Sequence, residues 1–194
     1  QLQDVMALVH SAPALAREQI VRAAARQFVA GDVQHWWHPP TGRGVRTKFS
    51  DDYLWLPFVA DQYIVATGDA TIFDERVSYL ESRPLADDEA ERYELPSVTH
   101  ERGTLYEHCN RAIDRALGRM GPHGLPLMGA GDWNDGMNMV GDAGRGESVW
   151  VGWFLHVNLE RMAELAAARG DSGRAERYCA EAARLRAALE QHAW

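Results

Sequence analysis

The sequence predicts an all-α fold in which helical hairpins form an α/α barrel or toroid. Three observations support this prediction. Apolar residues recur every three or four positions in several long segments. Capping residues precede these segments and glycines follow them. Polar and aromatic motifs gather in long loops at corresponding points between the helices, as in hairpins that carry their chemistry at one end.

The first helix is predicted between Ser11 and Gly31. Ser11 is a candidate N-cap, Pro13 suits the first helical turn, and an apolar stripe follows until Gly31 ends it. Residues 31–50 then lack a sustained period. They are predicted to form a long loop that is too rich in aromatic and cationic groups to be a simple connector.

The second helix is predicted to end at Gly68 and to begin after Ser50 or Asp51, one of which would cap it. Pro57 implies that the regular helix begins near Leu56 or is kinked there.

The next part of the chain is less regular. Residues 71–80 fit either a short helix or a helix followed by a strand, and residues 82–94 are predicted to be an acidic surface loop.

Three more helices complete the predicted fold. Residues 105–117 carry a clear apolar stripe that Gly118 ends. Residues 147–169 form the longest helix, and its first half is apolar on every side, so it is predicted to be buried. Asp171 or Ser172 caps the last helix.

Composition limits the class of partner. The 194 residues carry a formal net charge of -8, which disfavours nucleic acid and anionic membranes and favours a neutral substrate. Cys109 and Cys179 both fall on apolar helical stripes. They are therefore predicted to be small buried residues rather than a disulfide or a metal pair, which suits a reducing compartment.

The segment Gly129–Asn138 carries two carboxylates, an amide and a tryptophan between glycines. Glycine permits turn conformations that hold Asp132 and Asp135 close to a ligand. Trp133 adds a flat aromatic face of the kind on which sugar rings stack. A plain surface turn is the alternative interpretation, and spacing does not separate the two aspartates as the reactive group.

Residues 34–47 form a second motif-rich segment. His35 and His38 are three positions apart, as in some zinc sites, but no further ligands complete the set nearby, so zinc is not predicted. Arg43 and Arg46 lie beside glycines. Their guanidinium groups could hold hydroxyls, phosphate or a carboxylate, or could form a solvated basic turn.

Aromatic platforms beside carboxylates indicate carbohydrate chemistry, and the sequence has no Ser-His-Asp order, P-loop or dinucleotide fingerprint. Glycoside cleavage requires an acid that protonates the departing oxygen, and inverting hydrolysis adds a carboxylate that activates water. Phosphate is already a nucleophile. A phosphorolytic enzyme could therefore use one acid together with cationic groups that hold phosphate.

Five ordered motifs resemble glycoside hydrolase family 94 and extend over essentially the whole chain. They are GDVQHWWHPPTGRGVRT at 31–47, SDDYLWLP at 50–57, LYEHC at 105–109, HGLPLM at 123–128 and GDWNDGMN at 131–138. The Trp-Trp-His-Pro-Pro form is most similar to the carboxyl-terminal, phosphorylase-like domains of cyclic β-1,2-glucan synthases. Cellobiose and oligoglucan phosphorylases are further relatives within the family.

The resemblance implies a partial (α/α)6 barrel, about half of the full ring of helices. It also implies inverting phosphorolysis or chain-length control of β-1,2-glucan, with release of α-glucose 1-phosphate. Carried over by position, Asp135 matches the general acid, and Arg46, Asp52 and Trp133 match residues that hold the glucosyl unit. No metal or cofactor is implied, and inorganic phosphate is the co-substrate.

Family members are longer than this chain, which opens on Gln1 and ends on Trp194 directly after a predicted helix. We therefore expect residues 1–194 to be one catalytic domain truncated at both ends, with the phosphate-binding residues in the missing part. Such a piece is expected to be inactive, and poorly stable or associated as a homo-oligomer.

The expected partners are a β-glucan oligosaccharide or polysaccharide and the rest of the parent polypeptide. The expected location is cytoplasmic, at the cytoplasmic face of the inner membrane as part of a larger membrane protein. The competing hypothesis is a non-catalytic, carbohydrate-binding α/α barrel, in which the same loops hold glucan without cleaving it.

Overall fold

Two antiparallel sheets lie among the helices in the structure, a computed structural model that describes residues 1–193. The prediction of an all-α, partial (α/α)6 barrel is therefore wrong. The described residues form the helices α1 (Leu2–Val5), α2 (Pro13–Ala24), α3 (Trp55–Thr67), α4 (Leu105–Leu117), α5 (Val149–Ala168) and α6 (Ser172–His192). The strands are β1 (Gln34–His38), β2 (Arg43–Thr47), β3 (Arg76–Glu81), β4 (Glu91–Glu94) and β5 (Ser97–Thr104). Trp194 lies outside the described residues.

The first sheet occupies the segment that was predicted to be a loop. Its order is β1-β2-β4 with antiparallel neighbours, and Trp37 pairs with Gly44 across the hairpin. Gly44 is required at this position, because a Cβ there would lie 2.1 Å from the carbonyl oxygen of Trp36. The aromatic and β-branched residues of 34–47 favour strands. The missing helical period therefore indicated a sheet rather than a loop.

The second sheet pairs β3 with β5. Of the two alternatives for residues 71–80, the helix followed by a strand is correct, because a 3-10 helix at Ala70–Asp74 leads into β3. The predicted acidic loop at 82–94 contains β4 at its end.

The predicted helices are present, with ends fixed by local chemistry. α2 stops at Ala24, well before Gly31. α3 begins at Trp55 after a 3-10 turn at Asp52–Leu54, which agrees with a regular helix that starts close to Leu56. Asp51 occupies the N-cap position of that turn, but its side chain makes no capping hydrogen bond. The capping role considered for this carboxylate is therefore wrong.

Side-chain caps define the starts of the three later helices. Thr104 and Glu107 form a reciprocal capping box at α4. The Ser148 hydroxyl accepts the backbone N–H of Val151 at α5, and Asp171 caps α6 as predicted.

The helices pack around a core that is continuous from α1 to α6. One prediction about this core is wrong, because the first half of α5 is not buried on every side. Val151 and Leu155 are fully buried, whereas Trp150 and Trp153 on the other side are 41% and 37% exposed.

The two cysteines differ in environment. Cys109 is buried as predicted, and burial raises the pKa of its thiol. Cys179 is exposed on α6, so the prediction of burial is wrong for this residue. Among residues 1–193, no helix combines the length and the apolar character that a membrane span requires.

Candidate active site

A cavity of about 220 Å³ lies where the first sheet meets the loop after Met128. Two segments that are distant in sequence line it, together with the first residues of the chain and residues at the end of α2. The first segment contributes Gln34, His35, Trp37, Asp51, Asp52 and Trp55, and the second contributes Asp132, Trp133 and Asp135. Three of the four predicted site residues, Asp52, Trp133 and Asp135, therefore share one cavity. Arg46 does not line it.

Backbone contacts hold the two segments together. Phe49 forms an isolated β-bridge with Gly129, and the backbone N–H of Ser50 donates to the carbonyl oxygen of Gly131 at 3.0 Å. Gly129 has a φ of +68°, and a Cβ there would lie 2.1 Å from the carbonyl oxygen of Lys48. Glycine at this position therefore permits the turn and also lets the backbones of the two segments approach closely.

The structure distinguishes the two aspartates that sequence spacing could not separate. Asp132 is 6% exposed, and its carboxylate accepts the backbone N–H of Asn134 at 3.0 Å and the hydroxyl of Ser148 at 2.7 Å. One oxygen therefore holds the backbone of the loop itself, and the other fixes the loop to the start of α5. The side chain of Asp135 is 66% exposed. This geometry favours Asp135 as the carboxyl group that can reach a substrate.

Trp133 lies at the mouth of the cavity and is 59% exposed. Its indole Nε1 donates to the side-chain oxygen of Gln3 at 3.2 Å. Gln3 was not identified from the sequence, and nothing in its local pattern marks it. The exposed ring provides a flat surface beside Asp135, as a sugar platform requires.

Asp52 is held by two groups from the first sheet. Nδ1 of His35 lies 3.0 Å from both carboxylate oxygens of Asp52, and the hydroxyl of Thr47 donates to Oδ2 at 3.3 Å. The hydrogen bond to Asp52 raises the pKa of His35, whereas burial opposes that change.

His38, three residues later on β1, contacts the rings of Trp36 and Tyr93 instead of a carboxylate. The strand therefore separates the two histidines that a zinc site would have required to converge.

Asp51 is a second site residue that sequence analysis did not identify. Its side chain faces the cavity but is only 3% exposed, and Trp55 Nε1 donates to its Oδ2 at 3.0 Å. Burial, followed by the neighbouring charge of Asp52, raises the pKa of Asp51 to about 7. A large share of the Asp51 side chains therefore carries a proton near neutral pH.

This pKa predicts a pH dependence of stability. In the unfolded chain Asp51 loses its proton near pH 4, whereas in the folded protein it keeps the proton until about pH 7. The contribution of Asp51 to the free energy of unfolding is therefore full below pH 4 and falls as the pH rises to 7, by at most about 1.4 kcal/mol per pH unit. We expect Asp51→Asn to remove this slope in urea titrations between pH 4 and 7. The exposed Asp142→Asn is the control, and equal slopes for wild type and Asp51→Asn would contradict the prediction.

Arg46 has a different environment from the other predicted site residues. It is 3% exposed, and its Nε and Nη2 atoms donate to the two oxygens of Asp32 at 2.6 and 2.9 Å. Nη1 donates to the Ser82 and Arg83 carbonyl oxygens and to the Ser82 hydroxyl, and the guanidinium lies 3.9 Å from the centre of the Phe28 ring. Its polar atoms are therefore occupied within the protein.

Arg43 differs from Arg46 in exposure. It is exposed on the same strand and lies over the ring of Tyr93 at 5.7 Å. Arg43 is therefore a solvated basic residue, whereas Arg46 belongs to a buried ion pair.

Removing one member of the buried pair is expected to be costly. Arg46→Ala leaves the carboxylate of Asp32 buried without its partner, so the free energy of unfolding should fall by about 3–5 kcal/mol. Arg43→Ala on the same strand is the matched control, with an expected loss of about 1 kcal/mol or less. Urea unfolding of both variants measures the difference. A cost for Arg46→Ala no larger than that for Arg43→Ala would contradict it.

Comparison with known proteins places these residues in a family. Residues 1–194 match the family described as the glycosyl hydrolase 94 superfamily, catalytic domain. The chain is 48% identical over 194 residues to cyclic beta-(1,2)-glucan synthase NdvB of Rhizobium meliloti (strain 1021), a match that covers all of this chain and 7% of that protein.

Two phosphorylases are also similar. Solabiose phosphorylase of Paenibacillus borealis is 32% identical over 195 residues, which are all of this chain and 22% of that protein. N,N'-diacetylchitobiose phosphorylase of Vibrio furnissii is 27% identical over 217 residues, which cover 99% of this chain and 24% of that protein. The chain thus spans less than a quarter of the length of these relatives.

Proposed function

The chain belongs to the glycosyl hydrolase 94 superfamily, and from this membership we propose that it is part of an inverting β-glucan phosphorylase-type domain. The proposed reaction is phosphorolysis or chain-length control of a β-1,2-glucan, with release of α-glucose 1-phosphate. The 48% identity to a protein named as a cyclic glucan synthase supports the substrate, and two relatives named as phosphorylases support the reaction type.

One observation carries this proposal. The cavity brings Asp52, Trp133 and Asp135 together although the first lies about 80 residues from the other two. A carboxylate for hydroxyl groups, an aromatic face and a free carboxyl group are the parts that a glucoside-cleaving site requires.

The proposed roles follow from this geometry. Asp135 protonates the glycosidic oxygen as its bond to the anomeric carbon breaks, and phosphate attacks that carbon from the opposite face, which inverts the configuration. Trp133 stacks against the sugar, and Asp52 accepts hydrogen bonds from glucosyl hydroxyls. Arg46 supports the site indirectly, because its contacts with Asp32 fix β2 beside Asp52.

The charges around the cavity bear on the position of phosphate. Asp51, Asp52, Asp132 and Asp135 face it, and among residues 1–193 the basic side chains that line it are Arg26 and His35. A dianion requires more positive charge than this. We therefore place the phosphate-binding groups elsewhere in the natural polypeptide, and propose that residues 1–194 alone do not support phosphorolysis.

The test uses the complete natural polypeptide that carries these residues. It is incubated with β-1,2-glucan, with and without inorganic phosphate, and sugar phosphates are detected by ³¹P NMR while ¹H NMR identifies the anomer. We expect α-glucose 1-phosphate that depends on phosphate. Glucan binding without any product would favour a non-catalytic, carbohydrate-binding domain, and formation of the β-anomer would contradict inversion.

A further inference from the structure

His35 lies between the two carboxylates that have different tasks in the proposed reaction. Its Nδ1 atom is 3.0 Å from both oxygens of Asp52, and its Nε2 atom is 3.9 Å from Oδ2 of Asp135. The histidine side chain is 21% exposed. The imidazole thus lies between Asp52, the proposed sugar-binding carboxylate, and Asp135, the proposed acid.

The orientation of the imidazole is fixed on two sides. The imidazole packs against the ring of Phe49 in an edge-to-face arrangement, with 4.7 Å between ring centroids, and Phe49 is itself paired with Gly129 in the second segment. Because Nδ1–H donates to Asp52, the remaining nitrogen, Nε2, faces Asp135. The exposed side chain of Asp135 can close the 3.9 Å separation by rotation.

The charges around His35 come from each segment packed against it. Asp51 and Asp52 precede α3, Asp132 and Asp135 lie on the second loop, and Arg26 follows α2. Asp52 has the largest effect on the pKa of His35, which it raises, and the charges of Asp135 and Asp51 raise it further. Carboxylates on both sides favour the protonated, positively charged form of the ring.

We infer that His35 is a positioning residue that holds the exchangeable proton at Asp135, with Asp52 orienting the ring. This inference rests on the proposed function, since it assigns His35 a task in that reaction. The acid is otherwise an exposed carboxyl group. The imidazole of His35 is a neighbouring group that can give a proton to it and take one back.

Before reaction, His35 carries Nδ1–H, which donates to Asp52, and one further proton is shared by Nε2 and Oδ2 of Asp135. Asp135 transfers that proton to the glycosidic oxygen as the bond breaks. The pair then consists of a neutral imidazole and a carboxylate, and it regains one proton from solvent before the next turnover.

The kinetic test compares His35→Gln with His38→Gln in the complete natural polypeptide. In His35→Gln the shared proton is lost. The alkaline limb of the pH profile of kcat for phosphorolysis should therefore move to lower pH by about one unit or more. The rate at neutral pH should therefore fall about tenfold, with a smaller loss at acidic pH. His38→Gln makes the same change on the same strand away from the cavity and should leave the limb in place. A loss for His35→Gln that is constant with pH would overturn the inference.

A second test does not depend on catalysis or on the folding of a His35 variant. The ring of His35 is titrated by NMR in the 194-residue protein with labelled histidine. Asp135→Asn should lower the pKa of His35, because it removes a neighbouring negative charge, whereas Asp142→Asn should not. An unchanged pKa in Asp135→Asn would overturn the inference.

The two tests separate this inference from the proposed function. If the complete polypeptide releases no α-glucose 1-phosphate while Asp135→Asn still shifts the titration of His35, the proposed function fails and the coupled pair stands. If the product forms and depends on Asp135 while neither the limb nor the titration moves, the proposed function stands and the role of His35 is refuted.

Discussion

Asp135→Asn is expected to lower kcat for phosphorolysis about 10³-fold while glucan affinity stays within about threefold. Asparagine keeps the size and shape of the side chain but cannot transfer a proton to the departing oxygen. Because Asp135 is 66% exposed and leaves the packing of the loop to Asp132, its replacement should not disturb the fold. Initial rates of glucose 1-phosphate release and calorimetric binding of glucan measure the two quantities.

Two further substitutions test the choice of Asp135 as the acid. Asp142→Asn makes the same change at an exposed position of the same loop region and should leave kcat unchanged. Asp132→Asn should act mainly on stability, because the carboxylate of Asp132 joins the loop to Ser148 at the start of α5. A folded Asp132→Asn protein without activity, beside an active Asp135→Asn protein, would transfer the acid role to Asp132.

Much of the helical structure could be predicted because its signals are local. Apolar stripes placed α4 and α6, a long apolar segment placed α5, and Asp171 caps the last helix as expected. The motifs around Asp52 and Asp135 likewise marked two segments that meet in one cavity. In these cases the decisive interactions lie within a few residues of the pattern that predicts them.

The features that were missed depend on partners distant in sequence. β1 and β2 contain no helical period, and β2 pairs with β4, whose residues lie more than 40 positions away. The first half of α5 is apolar on every side, but the residues of a helix do not determine which of its sides other elements cover.

The prediction of the site from the sequence was limited for the same reason. The assignment of Arg46 as a sugar-binding group came from the resemblance to glycoside hydrolase family 94, and it stays a prediction. Only the folded chain shows that Asp32 and the Ser82–Arg83 backbone occupy its guanidinium. The position of His35 between Asp52 and Asp135 also arises from three separate segments.

Gly129→Ala is expected to lower the free energy of unfolding by about 2–5 kcal/mol and to separate the two halves of the cavity. A left-handed φ of +68° costs alanine about 1–2 kcal/mol. The new Cβ would also lie 2.1 Å from the carbonyl oxygen of Lys48, a rigid backbone atom, and overpacking of this kind adds about 1–3 kcal/mol. Relief of the overlap must move the loop away from residues 48–50, which carries Trp133 and Asp135 away from Asp52.

Gly144→Ala isolates the steric part of this effect. Gly144 has a φ of +70° in the same loop region, and a Cβ there meets no atom within 4 Å. Its substitution should therefore lower the free energy of unfolding only by the cost of a left-handed backbone, about 1–2 kcal/mol, and should leave glucan affinity unchanged. Urea unfolding and calorimetric glucan binding compare the two variants. Equal losses of stability together with equal glucan affinities would show that the contact between Gly129 and Lys48 does not hold the cavity together.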